Sequence, residues 1–457
     1  MINSFLKSKL ATLSILIVLT VVILVNYNLS FWKQQPGRII SNDIIAYYAY
    51  LPATFIYHDI SLRFRDTDPA KFYNKIWAIK TESGKYVLKM SMGLSLMYAP
   101  FFLMAHTCCY LTGRDTGGYS PVYEFSLIVA AVFYLALSLF TLRKILLRYF
   151  NSNVTFLTIL GIGLGTNLFY YSALEAPMSH VFSFCLFTLF INGTVKWIEK
   201  PSFKYTLALG LITGLITLIR PTNIIILLAF LLWDVVSFHS LKQRILIIMR
   251  NYRMLFLFVF CSFLVWIPQF IYWKYTTGSW LYYSYRDEHF YFGKPEIINT
   301  LFSYRKGWLL YTPLMALALA GIPVMFRVMK EKLLAVMLYT AFCIYVVSSW
   351  WCWWYGGSFG LRAFIESYAI LAIPLAVMIK WLSNGIVKKI ILVLFLALFI
   401  SFNLFQSAQY YYSAIQWDSM TKEAYWESFG SLHPSAMHDR LTKLPDYDNA
   451  KKGLREK

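Results

Sequence analysis

The chain has 457 residues, 58% hydrophobic, 19% aromatic and only 14% charged. A soluble domain carries about 25% charged residues, whereas repeated apolar runs of roughly 20 residues match a ~30 Å hydrocarbon core. The formal net charge is +20, but Lys and Arg cluster in short connections between apolar runs. That pattern marks cytoplasmic loops and excludes a nucleic-acid partner. The composition predicts an all-α polytopic protein surrounded by membrane lipids. Its 6 cysteines lie in or beside apolar stretches without metal-ligand spacing, and read as small packing residues.

Taken in order, Lys7 and Lys9 precede the apolar run 10–25. The run is long and unbroken and no A-x-A site follows, so it reads as a retained first helix with a cytoplasmic N-terminus. Residues from about 27 to 119 then form a first outer loop. Within it, 90–111 is apolar enough to pass for a span. If it crossed, Arg143, Lys144 and Arg148 would fall on the outer face. It is therefore expected to be a juxtamembrane helix, interrupted by Pro100 and His106. Spans follow at 121–142, 154–171, 177–195, 205–219, 224–236, 254–273, 308–326, 333–354, 361–379 and 390–405. With the first helix this makes about eleven crossings, their inner ends marked by groups such as Lys242, Arg244, Arg250 and Arg253. Residues 1–406 form one transmembrane domain. Residues 407–457 are a short outer tail in which basic and acidic residues balance.

Several motifs carry candidate chemistry. Gly161, Gly163 and Gly165 have no strand–turn–helix context for a nucleotide and read as a close helix contact. Asp66 and Asp68 resemble the acidic pair of nucleotide-sugar transferases, but face outward and read as a solvated loop. Asp43, in SNDIIAYYAYLPA, is an acid near the membrane surface among aromatics. Such an acid can accept a hydroxyl proton, against a background of ordinary interfacial aromatics. Glu175 and His180, in ALEAPMSH, stand at an outer helix start, where Pro177 and an acid also make good helix-start chemistry. Arg220 in LIRPTN and Arg362 in WWYGGSFGLRAFIE lie at outer helix breaks, where a planar fork of donors suits a phosphate. The competing expectation for Arg362 is an i,i+4 pair with Glu366.

In order and sidedness, these segments resemble the glycosyltransferase-C superfamily, relatives of protein O-mannosyltransferases and aminoarabinose transferases. The resembling stretches are SNDIIAYYAYLPA, KYVLKMSMGLSLMYAPFFLMAH, ALEAPMSH, GLITGLITLIRPTN and WWYGGSFGLR, within residues 8–375. The resemblance implies an integral enzyme of a bacterial inner membrane, with its site and tail outside. It would take a hexose or pentose from a polyprenyl-phosphate donor and move it, with inversion, to a lipid or glycan acceptor. Asp43 and Glu175 would be catalytic, Asp43 as the base. Arg220 and Arg362, with Lys85 and Lys89, would hold the leaving phosphate. Tyr47, Tyr48, Tyr50, His58 and His180 would line sugar or acceptor. Asp43, Glu175 and His180 could also hold a divalent ion, Mg or Mn. The rival reading is a transporter or flippase for a lipid-linked or phosphate-bearing substrate, against which no inverted repeat is visible.

Overall fold

The structure, a computed structural model, describes residues 2–454, with side chains from residue 9 onward. The Lys7 side chain lies outside the described residues. Among those described, 8 helices are long and apolar enough to cross a membrane. All but Gly93–Leu111 fall on expected spans. The shorter apolar helices Ser152–Leu164, Phe203–Ile219, Pro221–Leu232 and Leu314–Val328 fall on the others. The chain is an integral membrane protein.

Gly93–Leu111 is one continuous helix of 19 residues with Pro100 absorbed in its interior. At 1.5 Å per residue it is about 28 Å long, so length and composition alone admit it as a span. His106 does not interrupt it. Its Nδ1 meets the Tyr123 hydroxyl at 2.6 Å.

The bundle is tightest where small residues face neighbouring helices. A Cβ on Gly161 or Gly165 would lie 3.1 Å from Leu314, and one on Gly163 only 2.6 Å from Val18. The glycine run thus seats Ser152–Leu164 against the first helix and against Leu314–Val328, as a close helix contact requires.

The segment between the first helix and residue 119 is more structured than its sequence suggested. It contains two short helices, Asp43–Tyr48 and Tyr50–Phe55, and a hairpin of Ala78–Lys80 with Tyr86–Leu88. Both acids of the 66–68 stretch serve this loop: Asp66 accepts from Tyr86 at 2.9 Å, and Asp68 caps a helical turn through Lys71 N at 3.1 Å. The basic connection after residue 236 is an amphipathic helix, Phe238–Arg250, begun by a Ser237 capping box.

The tail is not a loose appendage. The last long helix runs to Tyr411, and the chain then folds back onto the bundle and its loops. Tyr447 donates to Asp418 at 2.7 Å, Gln406 to the Tyr425 hydroxyl at 2.9 Å, and Lys451 pairs with Asp287 at 2.9 Å. Ala450 packs with Trp353 and Trp354.

Candidate active site

The site is built where the 37–43 segment, the 174–178 turn, the 355–362 loop and the tail converge. Two inward-facing backbone amides explain why the first loop takes its path. Gly37 N donates to Glu124 at 2.9 Å and Ile40 N at 3.4 Å, so this fully buried acid holds the 37–40 segment. Asn42 then adopts φ +51°, and Asp43 opens its short helix.

Asp43 meets Arg362 at 3.0 Å, across 319 residues of sequence. Arg362 Nη2 also donates to the Tyr355 carbonyl at 3.2 Å, from a loop where Tyr355 itself has φ +58°. Left-handed non-glycine residues are costly and cluster at functional sites. Here one flanks each partner of the ion pair.

A cavity of 630 Å³ opens beside this pair, lined by Asp43, Glu175, Arg362, Arg38, Tyr170 and Trp417 among others. Glu175 accepts from the Tyr170 hydroxyl at 3.3 Å. Burial pushes its carboxyl above the usual range, against the opposing pull of Arg362. Two acids and an arginine singled out in the sequence therefore face one space.

Arg220 goes elsewhere. Its Nη1 donates to Glu366 at 2.6 Å, while His180 lies 3.5 Å from the other carboxylate oxygen and Asn223 3.4 Å from the first. Glu366 and His180 are 3% and 1% exposed, Arg220 25%. Glu366 is thus the partner of Arg220, and the expected i,i+4 pairing with Arg362 is not formed. Tyr47 lies in the field of both ion pairs. Burial and then the Asp43 carboxylate hold its hydroxyl above the usual range, with Arg220 and Arg362 opposing.

The remaining expected site residues are not brought to the cavity. Tyr48 is fully buried and donates to the Gly118 carbonyl; Tyr50 is 4% exposed and donates to Met90 O at 2.8 Å. His58 is exposed at a turn with φ +49°. Lys85 donates to Tyr275 O at 2.7 Å and Lys89 pairs with Glu288. For a metal, Asp43 and Glu175 face one space but His180 is turned into Glu366. Among the described residues no group of three ligating side chains assembles, so the site does not fit a three-ligand ion.

Lys306 was missed in the sequence, hidden in a tyrosine-rich loop. It is fully buried and donates to the carbonyls of Ser358 and, at 3.4 Å, Gln416. Burial pushes its ammonium down to about 7. It ties the tail to the 355–362 loop. Ser358 N adds a bond to Trp417 O at 3.1 Å, and a Cβ on Gly357 would lie 2.7 Å from the Trp417 ring. The glycine leaves room for that indole at the cavity wall.

No family model and no curated protein matches the chain. Solved structures do. The chain is similar to the archaeal oligosaccharyltransferase AglB from Archaeoglobus fulgidus in complex with an inhibitory peptide and a dolichol-phosphate. The TM-score is 0.50 at 11% identity, covering 89% of this chain and 55% of that one. It is also similar to the Archaeoglobus fulgidus oligosaccharyltransferase in the apo form, with TM-score 0.52 and 11% identity over 97% of this chain and 63% of that one. The chain thus spans less than two thirds of either neighbour, and such low identity speaks for fold, not activity. The chain shares the fold of these two oligosaccharyltransferases.

Proposed function

We propose that the chain is a membrane glycosyltransferase that moves a single sugar, a hexose or pentose, from a polyprenyl phosphate to a lipid or glycan acceptor on the outer, periplasmic face. The observation that carries this reading is the convergence of Asp43, Glu175 and Arg362 on one cavity. The dolichol-phosphate bound by the archaeal neighbour supports a polyprenyl-phosphate donor.

In this reading the acceptor hydroxyl attacks the anomeric carbon, the bond to the phosphate oxygen breaks, and polyprenyl phosphate leaves with inversion. The Asp43 carboxylate takes the hydroxyl proton, and Arg362 orients it from 3.0 Å. Glu175, held nearer neutrality by burial, positions the acceptor. Arg362 faces the charge that grows on the leaving phosphate, and Arg220 would add its field from the Glu366 pair outside the cavity wall. About eleven crossings, with the N-terminus inside, would place this cavity on the outer side.

The test is release of lipid phosphate from a panel of polyprenyl-phosphate sugars by the purified chain. Asp43→Asn should cut transfer by the ~10²–10⁴-fold typical of a lost general base. A transporter would release no lipid phosphate with any variant. If Asp43→Asn transfers at the parent rate while Glu175→Gln does not, the base is Glu175.

A further inference from the structure

A second cavity of 190 Å³ adjoins the first and shares Arg38, Tyr170, Tyr410 and Trp417 with it. We propose that this annex, within the transferase reading above, is an acceptor subsite recognising an anionic group, carboxylate or phosphate, carried on a sugar ring.

The rest of the annex wall is Tyr411, Ser413, Ile415 and Gln416, and no carboxylate lines it. Its cation is unlike Arg362. Among the described residues Arg38 makes no ion pair with a carboxylate. Its guanidinium stacks 3.9 Å over Phe31 and lies 5.7 Å from the Tyr411 ring, and Nη1 donates to Gln35 at 2.5 Å. Arg38 is exposed, and the aromatic faces orient its fork without a carboxylate partner, which suits a planar anion. The neighbouring amides of Gly37 and Ile40 are pinned by Glu124, so Arg38 is presented by a fixed backbone.

Trp417, 54% exposed, supplies the flat apolar surface on which a sugar ring can lie. Its place depends on the tail, because Lys306 and Ser358 hold Gln416 and Trp417 to the 355–362 loop. A ring seated there reaches the shared wall, beyond which stand Asp43 and Glu175. Arg38 and Arg362 are the basic residues lining these two cavities, and with Arg362 assigned to the donor phosphate, Arg38 is the one left to read the acceptor.

Calorimetry on the purified full chain in detergent tests this without turnover, using glucuronate, glucose 6-phosphate, glucose and inorganic phosphate as probes. The charged sugars should bind at least about tenfold more tightly than glucose or phosphate alone, as one charged hydrogen bond implies. Arg38→Gln should abolish the preference over glucose, Arg38→Lys should retain part of it, and Trp417→Ala should weaken both charged sugars. Thermal midpoints at the parent value establish that each variant is folded. Equal binding of charged and neutral sugars, no binding of either charged sugar, or a preference that survives Arg38→Gln overturns the subsite. Inorganic phosphate binding as tightly as glucose 6-phosphate overturns its sugar component. Charged-sugar binding without any sugar transfer would sink the proposed activity and leave the subsite standing.

Discussion

Replacing Glu366 should separate a functional arginine clamp from a fortuitous contact. Its carboxylate is 3% exposed and meets Arg220 at 2.6 Å, with His180 and Asn223 alongside. Breaking a buried pair by removing one partner costs about 3–5 kcal/mol, because the other charge is stranded. Arg220 is 25% exposed, so water can partly reach it, and Glu366→Ala is expected near the lower end, about 3 kcal/mol. Glu366→Gln keeps an acceptor oxygen and loses only the charge, for about 1.5 kcal/mol. Adding Arg220→Ala to Glu366→Ala removes the stranded cation. The double variant should therefore cost less than the sum of the singles, by about 1.5–3 kcal/mol of coupling. The assay is unfolding of the purified protein in mixed micelles, as a complete double-mutant cycle. Singles that add within about 0.5 kcal/mol, or a Glu366→Ala variant as stable as the parent, would refute the clamp.

At the two arginines, Lys keeps the charge but loses the fork. Arg220→Lys and Arg362→Lys should each weaken donor binding about tenfold or more; if both bind polyprenyl-phosphate sugar like the parent, the phosphate site lies elsewhere. Lys306 should make stability depend on pH. Burial lowers its ammonium from 10.5 to about 7, so between those values the unfolded chain holds a proton that the folded chain lacks. Stability should rise with pH across that window, and Lys306→Met should remove the rise; thermal midpoints with the same slope in both would rule this out. For topology, exposed positions Ser83 and Ser431 changed to Cys should label from outside, and exposed Gln243 changed to Cys should not. Outside labelling at Gln243 would invert the assignment of faces.

The apolar helices were legible because apolar length is a local property. Asp43, Glu175 and Arg362 were each legible because charge near a helix end or in an aromatic loop stands out in so apolar a chain. Their pairing was not. The sequence offered Arg362 and Glu366 four residues apart, a good spacing only for an α-helix. Arg362–Ser367 is instead a 3₁₀ helix, in which three residues complete a turn, so the two side chains diverge and Glu366 meets Arg220. Tyr48 and Tyr50 looked like exposed sugar platforms because they follow Asp43 in an outer loop. Short helices turn them inward, and their hydroxyls find loop carbonyls. The tail misled by composition: balanced charge suggests a free segment, whereas Trp417, Tyr425 and Tyr447 anchor it by contacts that no local pattern announces.

The two ion pairs leave the arginines capacity for a phosphate, as the donor geometry shows. A guanidinium carries five N–H donors in one plane. Both bonds from Arg362, to Asp43 and to Tyr355 O, leave from Nη2. Arg220 reaches Glu366 through Nη1. The other nitrogens of each fork stay outside these bonds, so an acid can fix the plane of the arginine while a second anion is met on another edge. A lysine in either place would have three donors on one atom and no plane to fix. The same logic serves Asp43. An acid tethered to Arg362 on one side keeps its cavity side, with the pair 33% exposed at the aspartate and 14% at the arginine. Holding both charges costs less where the aspartate reaches water than in a fully buried setting.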